Sequence, residues 1–163
     1  RNVSNNVVLP VMPDVNVDPD VIFQSWMNEH ISLNPNIHKI TAYFGCLSTI
    51  NIENDVITPS SRMISFLDIN KNGLYFGTTS TSTKMKDINH NNNVCVLFYY
   101  NDIRSSIKIN GKCIKCEDSI SESFWINKNY DYKIWALTTT QTNAIKDNNI
   151  DNFKQRMNDI KQK

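Results

Sequence analysis

The chain has almost no net charge: 17 Lys and Arg against 16 Asp and Glu leave a formal +1 over 163 residues. Without a basic excess there is no field to gather a nucleic acid or an anionic membrane surface. No run of about 18 apolar residues occurs, so no segment reads as a bilayer-spanning helix. The N-terminus lacks the charged-then-apolar pattern of a secretory leader, and with no initiator methionine before Arg1 a trimmed or partial chain is expected. A Walker loop, a paired-carboxylate motif and a nucleophile elbow are also missing. His30, His38 and His90 have no carboxylate, serine or cysteine partner evident in sequence, so no histidine receives a catalytic role.

Cysteine is sparse as well. Cys113-Ile-Lys-Cys116 has the spacing of a zinc knuckle or a redox pair. An extended strand is expected there, however, and residues three apart on a strand point to opposite faces. Cys46 and Cys95 form no second close pair, and no histidine lies near to complete a ligand set. Reduced thiols in a cytoplasmic protein is the expected reading, with no metal.

What is present is an ordinary globular composition, 40% hydrophobic and 20% charged, at a length that suits one domain. About two dozen asparagines reflect a nucleotide bias of the source genome and not chemistry. Residues 1–17, rich in Val, Asn and Pro without a period, read as an extended arm ahead of a single domain over 18–163. Asp18-Pro19 is a helix start, and Val21, Ile22, Phe23, Trp26, Met27 and Ile31 give a broad apolar face as far as Leu33.

The period then changes to two. Ile40, Ala42, Phe44 and Cys46 predict one strand, with a turn over Asn51–Asp55. Val56–Ile69 predicts a second strand, broken at Pro59 and returned by Asn72-Gly73 onto Leu74–Thr78. A short helix opens at Ser82-Thr83-Lys84. Val94–Tyr100 reads as a strand buried on both faces and Ile103–Glu117 as a long strand. Helices are expected over 119–127 and 130–137, with an amphipathic surface helix carrying Ile150, Phe153, Met157 and Ile160. Central strands with helices at both ends predict an α+β fold around an antiparallel barrel.

The most informative stretch is Pro59–Ile88. It places an inward Arg62, the hydroxyls of Thr78 and Ser82, and Lys84 around a helix start, a combination suited to a phosphate. Taken singly, Arg62 reads more readily as a surface or edge arginine and Lys84 as a solvated helix residue. The order strand, hairpin, strand, Ser-x-Lys helix resembles the pyridoxamine 5′-phosphate oxidase family, and the spacing agrees from Arg62 to Ile145.

The resemblance implies an FMN-binding split β-barrel, working as a homodimer with flavin between the subunits. It places Arg62, Met63, Ile64, Thr78, Ser82, Lys84, Gln141 and Thr142 at cofactor-binding positions and Lys128 at a substrate-binding position. Thr83 stands where the family has an arginine, Ser106 where it has a flavin-binding glutamine, and Gly77 where it has a tyrosine. Leu67, Phe124, Lys128 and Tyr132 occupy the positions that grip the substrate phosphate; of these only Lys128 carries a charge. Three readings follow: a flavoprotein of this oxidoreductase type with weakened FMN binding and altered activity, a working oxidase making pyridoxal 5′-phosphate, or a non-catalytic barrel serving as an interaction module.

Overall fold

A computed structural model describes residues 17–35, 43–138 and 150–161. Residues 1–16 of the expected 1–17 arm, the strand start at Ile40 and Ala42, and Gln141 and Thr142 lie outside these residues.

Helix α1 (Pro19–Leu33) starts at Asp18, whose extended backbone and following proline set the first turn. Its Phe23 and Met27 are buried. A five-stranded antiparallel sheet follows, built from β1 (Phe44–Glu53), β2 (Val56–Asn70), β3 (Gly73–Phe76), β4 (Asn93–Tyr100) and β5 (Ser105–Lys112), in the order β3-β2-β1-β4-β5. Helix α2 (Thr83–His90) lies between β3 and β4 in sequence, and α3 (Asp118–Ile126), α4 (Tyr130–Thr138) and α5 (Ile150–Lys161) follow the sheet.

The first hairpin is longer than the sequence pattern implied. β1 continues through the expected turn to Glu53, and only Asn54 and Asp55 lie outside the strands. Both have positive φ (49° and 63°), as the favoured two-residue hairpin turns require, and Asn and Asp tolerate this best after Gly. Pro59 does not break β2; it pairs with Ile50 where β2 has no third strand beside it, so its missing N–H costs no ladder bond. The second hairpin turns through Lys71-Asn72, with Gly73 at φ 135° as the first residue of β3. β3 ends at Phe76, which leaves Thr78 in the following loop and not on the return strand.

Alternation sorts the sheet into two faces. Leu47, Phe66, Val96, Phe98 and Tyr100 point inward and form one core with Phe23, Met27 and Ile103. The Phe98 ring meets Phe23 edge-on at 4.8 Å and Phe66 at 5.2 Å. β4 is not buried on both faces: Leu97 and Tyr99 stand exposed on the outer side, where nothing among the described residues covers them. β5 stops at Lys112, so Cys113 and Cys116 lie past the strand, and burial pushes the Cys113 thiol up. His30 does have a carboxylate partner, distant in sequence. Its Nδ1 lies 2.9 Å from Asp102 Oδ2 and its ring stacks on Tyr100, fixing the end of α1 to the β4–β5 turn. In the amphipathic α5, Phe153, Met157 and Ile160 are half-buried while their neighbours are exposed.

Gly45 lets the backbone of β1 approach the core rings closely. A Cβ there would sit 2.9 Å from the Phe98 ring and 3.1 Å from the Phe66 ring. Both rings are buried and have little room to retreat. Gly45→Ala is expected to destabilise the chain by about 1–3 kcal/mol, the usual cost of overpacking, as a lower urea midpoint with unchanged slope.

Candidate anion site at the start of helix α2

The site begins on two facing strands. Leu47 opposes Arg62 and Thr49 opposes Ser60 across the β1–β2 ladder, so these four side chains share the inner face. Arg62 Nη1 donates to Thr49 Oγ1 at 2.7 Å and to the Leu47 carbonyl at 3.3 Å. Its Nη2 donates to Ser60 Oγ at 2.7 Å and to Asp87 Oδ2 at 3.3 Å. Thr49 in turn donates to the same Asp87 oxygen at 2.6 Å. Asp87 is 2% exposed, and these contacts offset the cost of burying its carboxylate. The terminal amines of Arg62 thus spend their donors on protein, and what Arg62 offers an approaching anion is mainly its field.

Lys84 lies one helical turn before Asp87, on the same side of α2. It is buried, and its Nζ donates to Thr78 Oγ1 at 3.1 Å. Thr78 Oγ1 and Ser82 Oγ are 3.0 Å apart. Burial lowers the Lys84 pKa below the usual lysine value, and the Arg62 charge lowers it further. Two cations therefore stand close enough to repel, with one carboxylate between their elements. An added anion relieves that strain.

Ser82 occupies the N-cap of α2, but its side chain makes no cap bond, being turned to Thr78 instead. The first turn of α2 contains no acidic residue, so the positive end of its dipole faces a place without a negative side chain of its own. The Thr79 hydroxyl, in the turn that precedes the helix, is buried without a hydrogen-bond partner. Cations, hydroxyls and a helix start form a set that fits a phosphate.

A family model described as pyridoxamine 5′-phosphate oxidase matches residues 35–155, most of the chain. The chain belongs to this family. A pyridoxine/pyridoxamine 5′-phosphate oxidase from Pelagibacter ubique is 27% identical over 147 residues, covering 90% of this chain and 66% of that protein. One from Christiangramia forsetii is 24% identical, covering 92% and 66%. The chain thus spans just under two thirds of the length of these curated relatives. Among solved structures, PhzG from Burkholderia lata 383, in complex with tetrahydrophenazine-1-carboxylic acid, superposes with a TM-score of 0.80 at 19% identity, covering 94% of this chain and 73% of that one. A pyridoxamine 5′-phosphate oxidase-related, FMN-binding protein from Nostoc punctiforme gives 0.63 at 15% identity, covering 85% and 72%. The fold is the split β-barrel expected of the family.

Of the family positions named from sequence, the structure gathers Arg62, Thr78, Ser82 and Lys84. Met63 points to the outer face and is 62% exposed, while Ile64 packs against the core. Lys128 is not among the gathered cations: its Nζ lies 5.1 Å from the centre of the Tyr132 ring. Phe124 packs on Tyr75 of β3 at 5.8 Å. Leu67 falls at the register shift between Phe66 and Asp68, where a Cβ on Gly77 would meet its Cδ1 at 3.5 Å. Ser106 lines a hollow of about 280 Å³ between α1 and β5, apart from the cations.

Sequence reasoning missed Thr49, Ser60 and Asp87. Only the i, i+3 spacing of Lys84 and Asp87 offered a signal. Asp87→Ala removes the buried carboxylate and leaves Arg62 and Thr49 without a shared acceptor. It is expected to cost about 3 kcal/mol, readable by urea unfolding; a loss below about 1 kcal/mol would show that the pair does not hold these elements together.

Proposed function

We propose that the chain is an FMN-binding flavoprotein of the oxidoreductase type that holds the cofactor phosphate at the start of helix α2. The observation that carries this reading is the Lys84–Thr78–Ser82 cluster beside Arg62, in a chain of this family. Lys84 supplies the direct charge, the hydroxyls supply neutral donors, and Arg62, braced by Asp87, adds its field. FMN, when bound, supplies hydride acceptance; the protein positions it and excludes competing reactions.

The chain acts as a dimer, with a second copy covering the outer sheet face. Support comes from the register: half-buried Cys46 faces Met63 on one side and Leu97 on the other, and these two with Phe44 and Tyr99 are exposed apolar residues on the outer face. Cytoplasmic location and the single-domain layout remain part of this reading. No helix among the described residues is long and apolar enough to cross a membrane.

The substrate is altered relative to pyridoxamine 5′-phosphate. Leu67 and Phe124 present no donors, and Lys128 has its charge over an aromatic ring. A lysine also lacks the bidentate fork of an arginine.

Two measurements test the reading. Flavin-fluorescence titration of protein whose mass by light scattering is that of a dimer is expected to give weak FMN binding, largely lost in Lys84→Ala. Thr83→Arg should tighten binding by roughly ten- to a hundredfold, the value of a charged hydrogen bond of ~1.5–3 kcal/mol. An unchanged affinity in Thr83→Arg places the phosphate elsewhere.

Steady-state assay with saturating FMN is expected to show poor oxidation of pyridoxamine 5′-phosphate. About three lost contacts at ~1–3 kcal/mol each lower efficiency by several decades. Robust turnover would mean that other residues hold the substrate phosphate.

A further inference from the structure

Among the described residues Asp87 is the one buried carboxylate, and its two partners hold it differently. Thr49 Oγ1 donates to Oδ2 at 2.6 Å, while Arg62 Nη2 reaches the same oxygen only at 3.3 Å. The short bonds of the guanidinium, both 2.7 Å, run instead to the hydroxyls of Thr49 and Ser60. Hydroxyls therefore fix where Arg62 stands, and its contact with Asp87 is mainly one of charge. An uncharged amide at position 87 keeps an oxygen to accept from Thr49 and loses chiefly the charge.

The charges of the cluster do not balance. Arg62 and Lys84 are two cations against one carboxylate, and the first turn of α2 adds the positive end of a helix dipole with no acidic residue of its own. Burial and the Arg62 charge both hold the Lys84 pKa below the usual lysine range, so the place favours a further negative charge. An arriving phosphate meets that attraction reduced by Asp87, one unit of like charge fixed against the same guanidinium. In a site half shielded from water, a unit charge about 8 Å from an anion changes its affinity by roughly tenfold.

We propose that Asp87 is a built-in counter-anion that sets the affinity of the phosphate site. In the flavin-free chain it supplies the negative charge that Arg62 and Lys84 need; with FMN bound it repels the phosphate and weakens the hold. This rests on the FMN reading above. A purely structural carboxylate behaves otherwise: its loss loosens β1, β2 and α2 together, so stability and affinity fall together. A counter-anion gives the two effects opposite signs.

The test uses the full chain freed of flavin, with Asp87→Asn as the neutral variant of the same shape and Asp87→Glu as the one that keeps the charge. FMN and riboflavin, which has the same ring system and no phosphate, are titrated by fluorescence, and the flavin-free proteins are melted. Flavin-free Asp87→Asn is expected to melt below the parent, yet to bind FMN roughly tenfold more tightly, with riboflavin affinity unchanged. Asp87→Glu should keep FMN affinity near the parent value. Should Asp87→Asn be unfolded without flavin, far-UV circular dichroism reads the same point: FMN restores the fold and riboflavin does not.

Weaker FMN binding in Asp87→Asn, or an equal tightening toward riboflavin, overturns the proposal, as does a glutamate variant as tight as the asparagine one. A flavin-free asparagine variant as stable as the parent overturns it too, and so does an unfolded one that saturating FMN leaves unfolded. A parent chain that binds neither flavin overturns the FMN reading and this inference with it. A parent that binds FMN while Asp87→Asn gains nothing overturns this inference alone.

Discussion

The buried carboxylate of Asp87 is the constraint on which the site depends. It is the point where three separately formed pieces, β1 through Thr49, β2 through Arg62 and helix α2 through its own backbone, become one object. Without it, Arg62 and Lys84 would face each other as two cations in a partly dry place, and one would retreat or lose its proton. With it, a single negative charge is shared between a hydroxyl and a guanidinium, leaving the neighbourhood with a net positive charge. The pair holds the elements in a mutual orientation that hydrophobic packing alone does not dictate.

Much of the architecture was legible in the sequence because it follows from periodicity. The helix from Pro19, the hairpins, the Ser82 helix start and the terminal helices stand close to where alternation and capping placed them. The inward direction of Arg62 was legible for the same reason. What escaped detection depended on long-range partners. Asn51-Ile-Glu looks like a turn on composition, yet Ile52 and Glu53 complete a ladder with Val56 and Ile57. The outer exposure of Leu97 and Tyr99 was hidden because an apolar run gives no hint of which face lacks a cover. His30 meets Asp102 and Asp87 meets Arg62 only after the sheet has folded.

The family positions fall into two groups with different physical fates. Those at the α2 start keep donors and charge, and the structure brings them within hydrogen-bond distance of one another. Leu67, Phe124 and Lys128 have joined local packing: a strand irregularity, an aromatic pair and a cation over a ring. A position that has acquired neighbours of this kind is held by shape, so restoring a polar residue there means removing a packing contact as well as adding a donor.

The β1–β2 hairpin beyond Ser48 and Ser61 pairs only with itself among the described residues, since β4 reaches β1 at Cys46–Ser48 and β3 joins β2 at Phe66–Asn70. Antiparallel ladder pairs alternate between hydrogen-bonded and non-hydrogen-bonded geometry, so a given two-residue turn closes the ribbon correctly only at every second pair. Removing a residue from one strand alone would turn the inner face outward and carry Arg62 away from Leu47. The ribbon's length is therefore quantised. Over evolutionary drift it can grow or shrink by two residues on each strand, four in all, while every contact of Arg62 stays in register.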